Sequence, residues 1–204
     1  MTLINLHVPP RETVKKMFLN TPDSLRVDVA EGGCFEGVFL QQDMSFTLDI
    51  SLNGPGAKTR IKGGYLSAKK EMLIGCTVHH NADHTESHQT IYGVAALASC
   101  AEFRGLIHIP ADKKACAGYQ MHQGILLDAM ARIKATPALE IYAQDVACTH
   151  GSQIGALDKQ KLFYLKTRGI DEKMARLLLI NGFLSHILPP EWDTIVKEFI
   201  QTYA

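Results

Sequence analysis

Cys148 and His150, separated by a single threonine, are the residues in this sequence best suited to soft-metal chemistry. Successive side chains alternate between faces in an extended backbone, so a thiol and an imidazole two positions apart project to the same side. Both groups are metal ligands, and together they could share one metal ion or present a soft, proton-accepting patch. The plainer reading is a buried free cysteine beside a turn histidine, because cysteine is among the residue types most often found inside. A nucleophile–base role would also need an orienting residue and an oxyanion hole, and neither is evident nearby.

A denser cluster is Cys76, His79, His80, His84 and His88. On a helix, His84 and His88 would face one way, as metal ligands four positions apart do. Their flanks read as strand and Asn81-Ala82-Asp83 as a turn, so the alternative is a histidine-rich loop whose imidazoles hydrogen-bond their neighbours. The stretch NGPGAKT at residues 53–59 fails the spacing of a phosphate loop: its glycines lie too close together and Ala57 precedes Lys58. Gly-Pro-Gly reads better as a turn between strands, so any ATP must be handled by a partner. Glu102, Asp128, Glu140 and Asp145 are scattered, and no serine sits in a nucleophile elbow. Catalysis by this chain alone is therefore not expected.

The elements that must position these groups divide the chain in three. Residues 1–24 form an N-terminal cap segment with one short helix at residues 11–20, bounded by Pro9-Pro10 and Thr21-Pro22. Residues 25–157 form a β core. Short β-type runs recur at 25–30, 45–52, 58–66, 71–78, 89–94, 106–109 and 138–143, punctuated by Gly, Pro, Asn and Asp. This texture suits a sandwich, a barrel or a solenoid; small residues at bends and the lack of Asn-Gly hairpin turns tilt it toward a solenoid, though no fixed repeat period is visible. Leu139, Ile141 and Ala143 alternate with polar neighbours, a strand with one buried face, and Gly151 and Gly155 lend the backbone freedom around the Cys/His pair. Residues 158–204 form a helical domain. Asp158 caps a helix that stops at Gly169, Asp171 caps a second, and Trp192, Ile195, Val196, Phe199, Ile200 and Tyr203 make the apolar face of a third. In the second helix, Leu177 through Ile180 cannot all face one surface. That helix is either clamped between the β core and the third helix, or partly covered by a partner protein.

With 204 residues, 46% hydrophobic content and zero formal net charge, the chain reads as globular, without electrostatic pull toward nucleic acid or an anionic membrane. Five cysteines at irregular spacing argue for reduced thiols rather than a disulfide framework. No signal peptide or membrane span is read, and a cytoplasmic location is expected.

Three blocks carry a resemblance to a known family: PALEIYAQDVACTHGSQIGALD, LFYLKTRGI with the following Ala175, Arg176, Leu177, Leu178, Gly182 and Phe183, and VHHNADHTESHQTIYGV. The sequence resembles the SufB/SufD family of the SUF iron–sulfur cluster assembly machinery, firmly over about residues 76–187 and in texture over 25–75. The cysteine-His-Gly step followed by the LFYL-RG helix looks more like SufD. The resemblance implies a right-handed parallel β-helix followed by a small helical domain, in a non-catalytic scaffold-type subunit. It implies pairing through the β-helix end, near residues 139–155, with a SufB-type scaffold or a second copy. Cys148 and His150 would stand at that junction as cluster ligands or interface residues, with no tightly bound cofactor but a transient iron–sulfur cluster. It further implies that a SufC-type ABC ATPase docks on the helical block, where Leu162, Phe163, Tyr164, Leu165, Arg168, Gly169, Ala175, Leu178 and Phe183 are the candidate contacts. Cys34, Cys76, Cys100 and Cys116 have no matching family role. Thr149 stands where the family commonly has Ser, Gln144 where an acidic residue is common, and family members usually carry more coils than this chain can hold. Two other functions remain open: a metal-dependent all-β enzyme built on the histidines from His79 to His88, and a β-helix interaction module with no cluster role.

Overall fold

Among the described residues twelve strands alternate strictly between two parallel sheets, the signature of a coiling chain. The structure, a computed structural model, describes residues 3–21, 23–69 and 71–203; Pro22, read as a helix stop, lies outside them. One sheet holds, in spatial order, β1 (Leu3–Val8), β3 (Asp23–Val29), β5 (Phe46–Leu52), β7 (Glu71–His80), β9 (Cys100–Ile109) and β11 (Arg132–Ile141). The other holds β2 (Thr13–Leu19), β4 (Cys34–Gln42), β6 (Lys58–Ser67), β8 (Glu86–Ala95), β10 (Cys116–Leu126) and β12 (Val146–Ala156). Every strand pairing among the described residues is parallel, so the architecture is a β-solenoid. The register explains why no repeat is visible in the sequence. Leu3 pairs with Ser24, Asp23 with Phe46, Phe46 with Ile74, Glu71 with Cys100 and Cys100 with Arg132, so successive coils take 21, 23, 28, 29 and 32 residues.

The expected helix at residues 11–20 is not there. Those residues supply β2, which pairs in register with β4; pairing with the next coil outweighs a local preference read from flanking prolines. The freedom expected at Gly151 and Gly155 is likewise absent, since β12 runs straight through both in register with β10. The segment NGPGAKT is a turn into β6, as its composition suggests, with Gly56 at φ +72°. Coil-to-coil ladders tie such turns together: Asn81 Nδ2 donates to Asn53 Oδ1 and Asn53 Nδ2 donates to Asp28 Oδ1.

The lumen is filled by complementary rungs. At one register position Phe39, Gly63 and Ile91 follow one another, and at the next inward position Tyr65 lies beside Gly93. A Cβ on Gly63 would stand 2.2 Å from Phe39 Cζ, and one on Gly93 would stand 2.0 Å from Tyr65 Cζ. At these two positions the ring of Phe39 or Tyr65 reaches over the next rung, about 4.8 Å away, and only a glycine leaves room for it. The first coils are lined by Phe35, Phe39, Phe46, Leu48 and Ile50, all buried. Toward the last coils the inward positions turn small and polar: Ser87, Gln89, Gly118, Gln120 and His122.

Three helices follow. α1 (Lys159–Thr167) is capped by Asp158, whose carboxylate accepts from the Gln160 and Lys161 backbone N–H groups. The chain then turns at Gly169, φ +81°. α2 (Glu172–Leu184) is capped by Asp171, and α3 (Asp193–Tyr203) follows a short 3-10 turn at Pro190–Trp192. The apolar excess on α2 is resolved by two partners. Ile180 and Leu184 are buried with Val196, Phe199 and Ile200 of α3 and with Leu40, Leu66 and Val94 of the even-numbered sheet. Leu178 is left 44% exposed. No helix among the described residues is long and apolar enough to cross a membrane.

Candidate functional site

Among the described residues β12 is the last strand of its sheet, with β10 on one side and no strand on the other. Cys148 and His150 lie on it two residues apart, in register with Gly118 and Gln120 of β10. In β10 the even-numbered residues Cys116, Gly118, Gln120 and His122 are buried, so that face looks into the lumen. Cys148, His150 and Ser152 therefore occupy inward positions of a coil on which, among the described residues, no further strand stacks. Cys148 is half-buried and His150 exposed, and no residue of β11 or β12 is fully buried. Inward geometry combined with solvent access is what distinguishes this pair from a core cysteine and a turn histidine.

The Cys148 thiol sits above Gly118, whose missing side chain makes the space: a Cβ there would be 3.3 Å from Cys148 Sγ. Burial pushes the thiol's pKa up, while a backbone hydrogen bond from Gly118 opposes the shift. As it stands Cys148 is a protonated thiol, and a positive partner or a bound metal is needed to make it a ligand. All five cysteines are free. Cys76 is sealed in the core, where burial raises its thiol to about 12, and it cannot serve as an accessible ligand.

Beneath the pair lies a polar interior, of which sequence reading anticipates only the imidazoles of the histidine-rich segment bonded to their neighbours. His122 is 2.9 Å from the Tyr65 hydroxyl and 3.2 Å from Ser152 Oγ. Gln120 Nε2 donates to Gln89 Oε1. His80 is held between Thr85 Oγ1 at 2.8 Å and Ser87 Oγ at 2.9 Å, and Cys116 Sγ is 3.3 Å from Thr85 Oγ1. The signal was present as small and polar residues at every second position of β10 and β12, but it lacks the apolar alternation by which strands are recognised.

The histidine cluster is dispersed rather than assembled. His79 points outward, 3.7 Å from Asp49 Oδ1, while its neighbour His80 points into the lumen and is fully buried. His84 occupies a turn at φ +57°. His88 lies on the outer face of the other sheet, bonded to Glu86 at 2.8 Å and stacked on Tyr119. Adjacent strand residues face opposite ways, so the helical spacing of His84 and His88 has no meaning here. Among the described residues no group of three or more His, Cys, Asp and Glu could hold a metal ion.

The helical candidates separate into two sets. Phe163, Tyr164 and Leu178 are 69%, 56% and 44% exposed, and the Arg168 guanidinium lies over the Tyr164 ring at 5.3 Å. Gly169 is exposed, and Leu162 and Leu165 are half-buried. Ala175 is fully buried and presents no surface, while Phe183, stacked on Tyr92 at 4.5 Å, attaches α2 to the solenoid. Between β10, β12 and α2 runs a groove of about 690 Å³, lined by Gln123, Gln153, Lys161, Leu178, Phe183 and His186 among others.

Residues 26–183 match the family model for the SufBD core domain of the SUF system for FeS cluster assembly. The chain belongs to this family. The SufBD match begins well upstream of the motifs near residue 76 and takes in the strands from β4 to β12. The chain is 31% identical over 148 residues to the iron–sulfur cluster assembly protein SufD of Escherichia coli, covering 72% of the chain and 35% of that protein. It is 32% identical over 157 residues to SufD of Plasmodium falciparum, covering 76% of the chain and 11% of that protein. A SufBD family protein of Synechocystis is 32% identical over 112 residues, or 55% of the chain and 25% of that protein. The chain thus spans about a third or less of these relatives.

Proposed function

We propose that this chain is a non-catalytic, SufD-like subunit of an iron–sulfur cluster assembly complex. The open end formed by β11 and β12 would stack on a SufB-type scaffold or on a second copy, and the exposed face of α1 and α2 would grip a SufC-type ATPase. One observation carries the reading: Cys148 and His150 are directed inward on a terminal strand that has no covering coil. A partner's coil stacked there would enclose thiol and imidazole together at the junction, where they suit a transient iron–sulfur cargo. ATP-driven movement of the helices could reach the junction through the Tyr92–Phe183 stack and the short link from β12 to α1.

The deciding experiment is anaerobic reconstitution with iron and sulfide after co-purification with the scaffold and ATPase. Cys148→Ala and His150→Ala are expected to lose retained iron while keeping the fold, and Phe163→Asp and Leu178→Asp to lose the ATPase. Unchanged iron retention in both site variants would leave an interaction module without a cluster role.

A further inference from the structure

A run of side-chain amides inside the solenoid ends directly beneath His150. Gln89, Gln120 and His150 occupy consecutive rungs at one inward register position, with Gln120 flanked by Gln89 on β8 and His150 on β12. Gln89 is 1% exposed and Gln120 2% exposed. Gln120 Nε2 donates to Gln89 Oε1 at 2.8 Å, whereas Gln120 Oε1 is buried and accepts nothing. Gly105, across the lumen, reveals how the amide is turned. A Cβ built there would stand 2.3 Å from Oε1 and 2.4 Å from both Cδ and Nε2. Such near-equal distances mean that the amide lies flat against Gly105. Its nitrogen is bonded to Gln89, and the trigonal geometry of the amide turns the oxygen away from that rung, to the side of His150. The rung before Gln89 is Ile61, which offers the run no polar continuation on that side. His150 is exposed and its ring makes no hydrogen bond among the described residues, so the ring can turn onto the amide.

We propose that Gln120 is a positioning residue for His150. Its Oε1 accepts a hydrogen bond from one ring N–H, which holds the other ring nitrogen, unprotonated, toward the open end as a ligand for a soft metal or iron–sulfur cargo. Buried acceptors are seldom left unpaired, and metal-binding histidines characteristically donate their second N–H to such an acceptor, which fixes tautomer and ring plane. The ligand half of this assignment rests on the proposed function, while the hydrogen bond does not.

The test is long-range proton–nitrogen NMR on the whole chain labelled at histidine, with the His150 signals identified by H150Q. A single tautomer with a ring N–H slow to exchange with water is expected. Q120L should give mixed tautomers, fast exchange and roughly 10- to 100-fold weaker iron retention on reconstitution, and Q120E, which keeps an acceptor, should restore the single tautomer. Mixed tautomers and fast exchange in the wild-type protein would overturn the proposal without requiring any lumen variant to fold. If H150A loses iron while Q120L leaves tautomer and exchange unchanged, the proposed function stands and this inference falls. If the tautomer is fixed by Gln120 but H150A retains iron, the hydrogen bond stands and the cluster role falls.

Discussion

Mild acid should weaken this solenoid through two histidines whose surroundings have no place for a proton. His80 is fully buried between Thr85 and Ser87, and His122 is fully buried between the Phe103 ring, stacked at 4.8 Å, and the Tyr65 hydroxyl. Burial lowers each from the ordinary 6.5 to about 4, with His108 and His79 adding to the effect at His80. Above pH 6.5 both histidines are neutral whether the chain is folded or not, and they contribute no pH dependence. Between 6.5 and about 4 the unfolded chain takes up protons that the folded chain refuses, so stability falls as pH falls. Below about 4 the folded state is protonated as well and the loss levels off. At about 1.4 kcal/mol per pH unit, the limiting loss is about 3 kcal/mol per histidine, of which about 2 is already incurred near about pH 5. Two such groups are a large share of a typical stability of about 5–15 kcal/mol. Urea unfolding at about pH 7.5 and about pH 5 should show a loss of about 4 kcal/mol in the wild-type protein and about 2 in His80→Gln or His122→Gln. Each variant starts from a lower stability, so the pH difference within a protein is the quantity to compare. Carboxylates held below their usual range act in a lower window and are common to all three proteins; they include Glu102, brought to about 2 by Arg104 and Lys134, and Glu86, lowered by Lys58. Equal losses in wild-type and variant proteins would refute the assignment.

Other expectations concern packing. Gly93→Ala drives a methyl group into the buried Tyr65 ring and should cost about 1–3 kcal/mol by thermal unfolding; an unchanged Tm would show that the ring has somewhere to go. Phe183→Ala removes the ring stacked on Tyr92 and should cost about 1–3 kcal/mol, whereas Phe163→Ala should stay within about 0.5 kcal/mol in chemical denaturation. Equal effects would mean that α1 and α2 exchange their inner and outer faces in solution. Gly169→Ala places a side chain at φ +81° and should lower stability by about 1 kcal/mol, read from the urea midpoint.

The amino-acid sequence alone was enough for the elements whose local chemistry is self-contained. Seven β runs fall on strands because their lumen positions are mostly apolar, Thr59 and Gln89 excepted, and Asp158, Asp171 and Gly169 mark helix ends through hydrogen bonds and a backbone angle that involve only near neighbours. The strict Cys148/His150 spacing fixed their common face once the segment was extended. Tertiary structure alone decided the rest. β10 and β12 carry Gly, Gln, His, Cys and Ser where a strand is recognised by Val or Ile, and they are strands because flanking coils supply their hydrogen bonds. β2 is a strand through its pairing with β4, against the helix suggested by its flanking prolines. Whether a cysteine is sealed like Cys76 or reachable like Cys148 depends on which coil comes last, and whether Gln120 can address His150 depends on a register set 30 residues apart. Solenoid contacts join residues one coil distant, and coil length here drifts from 21 to 32 residues, so no fixed spacing in the sequence records them.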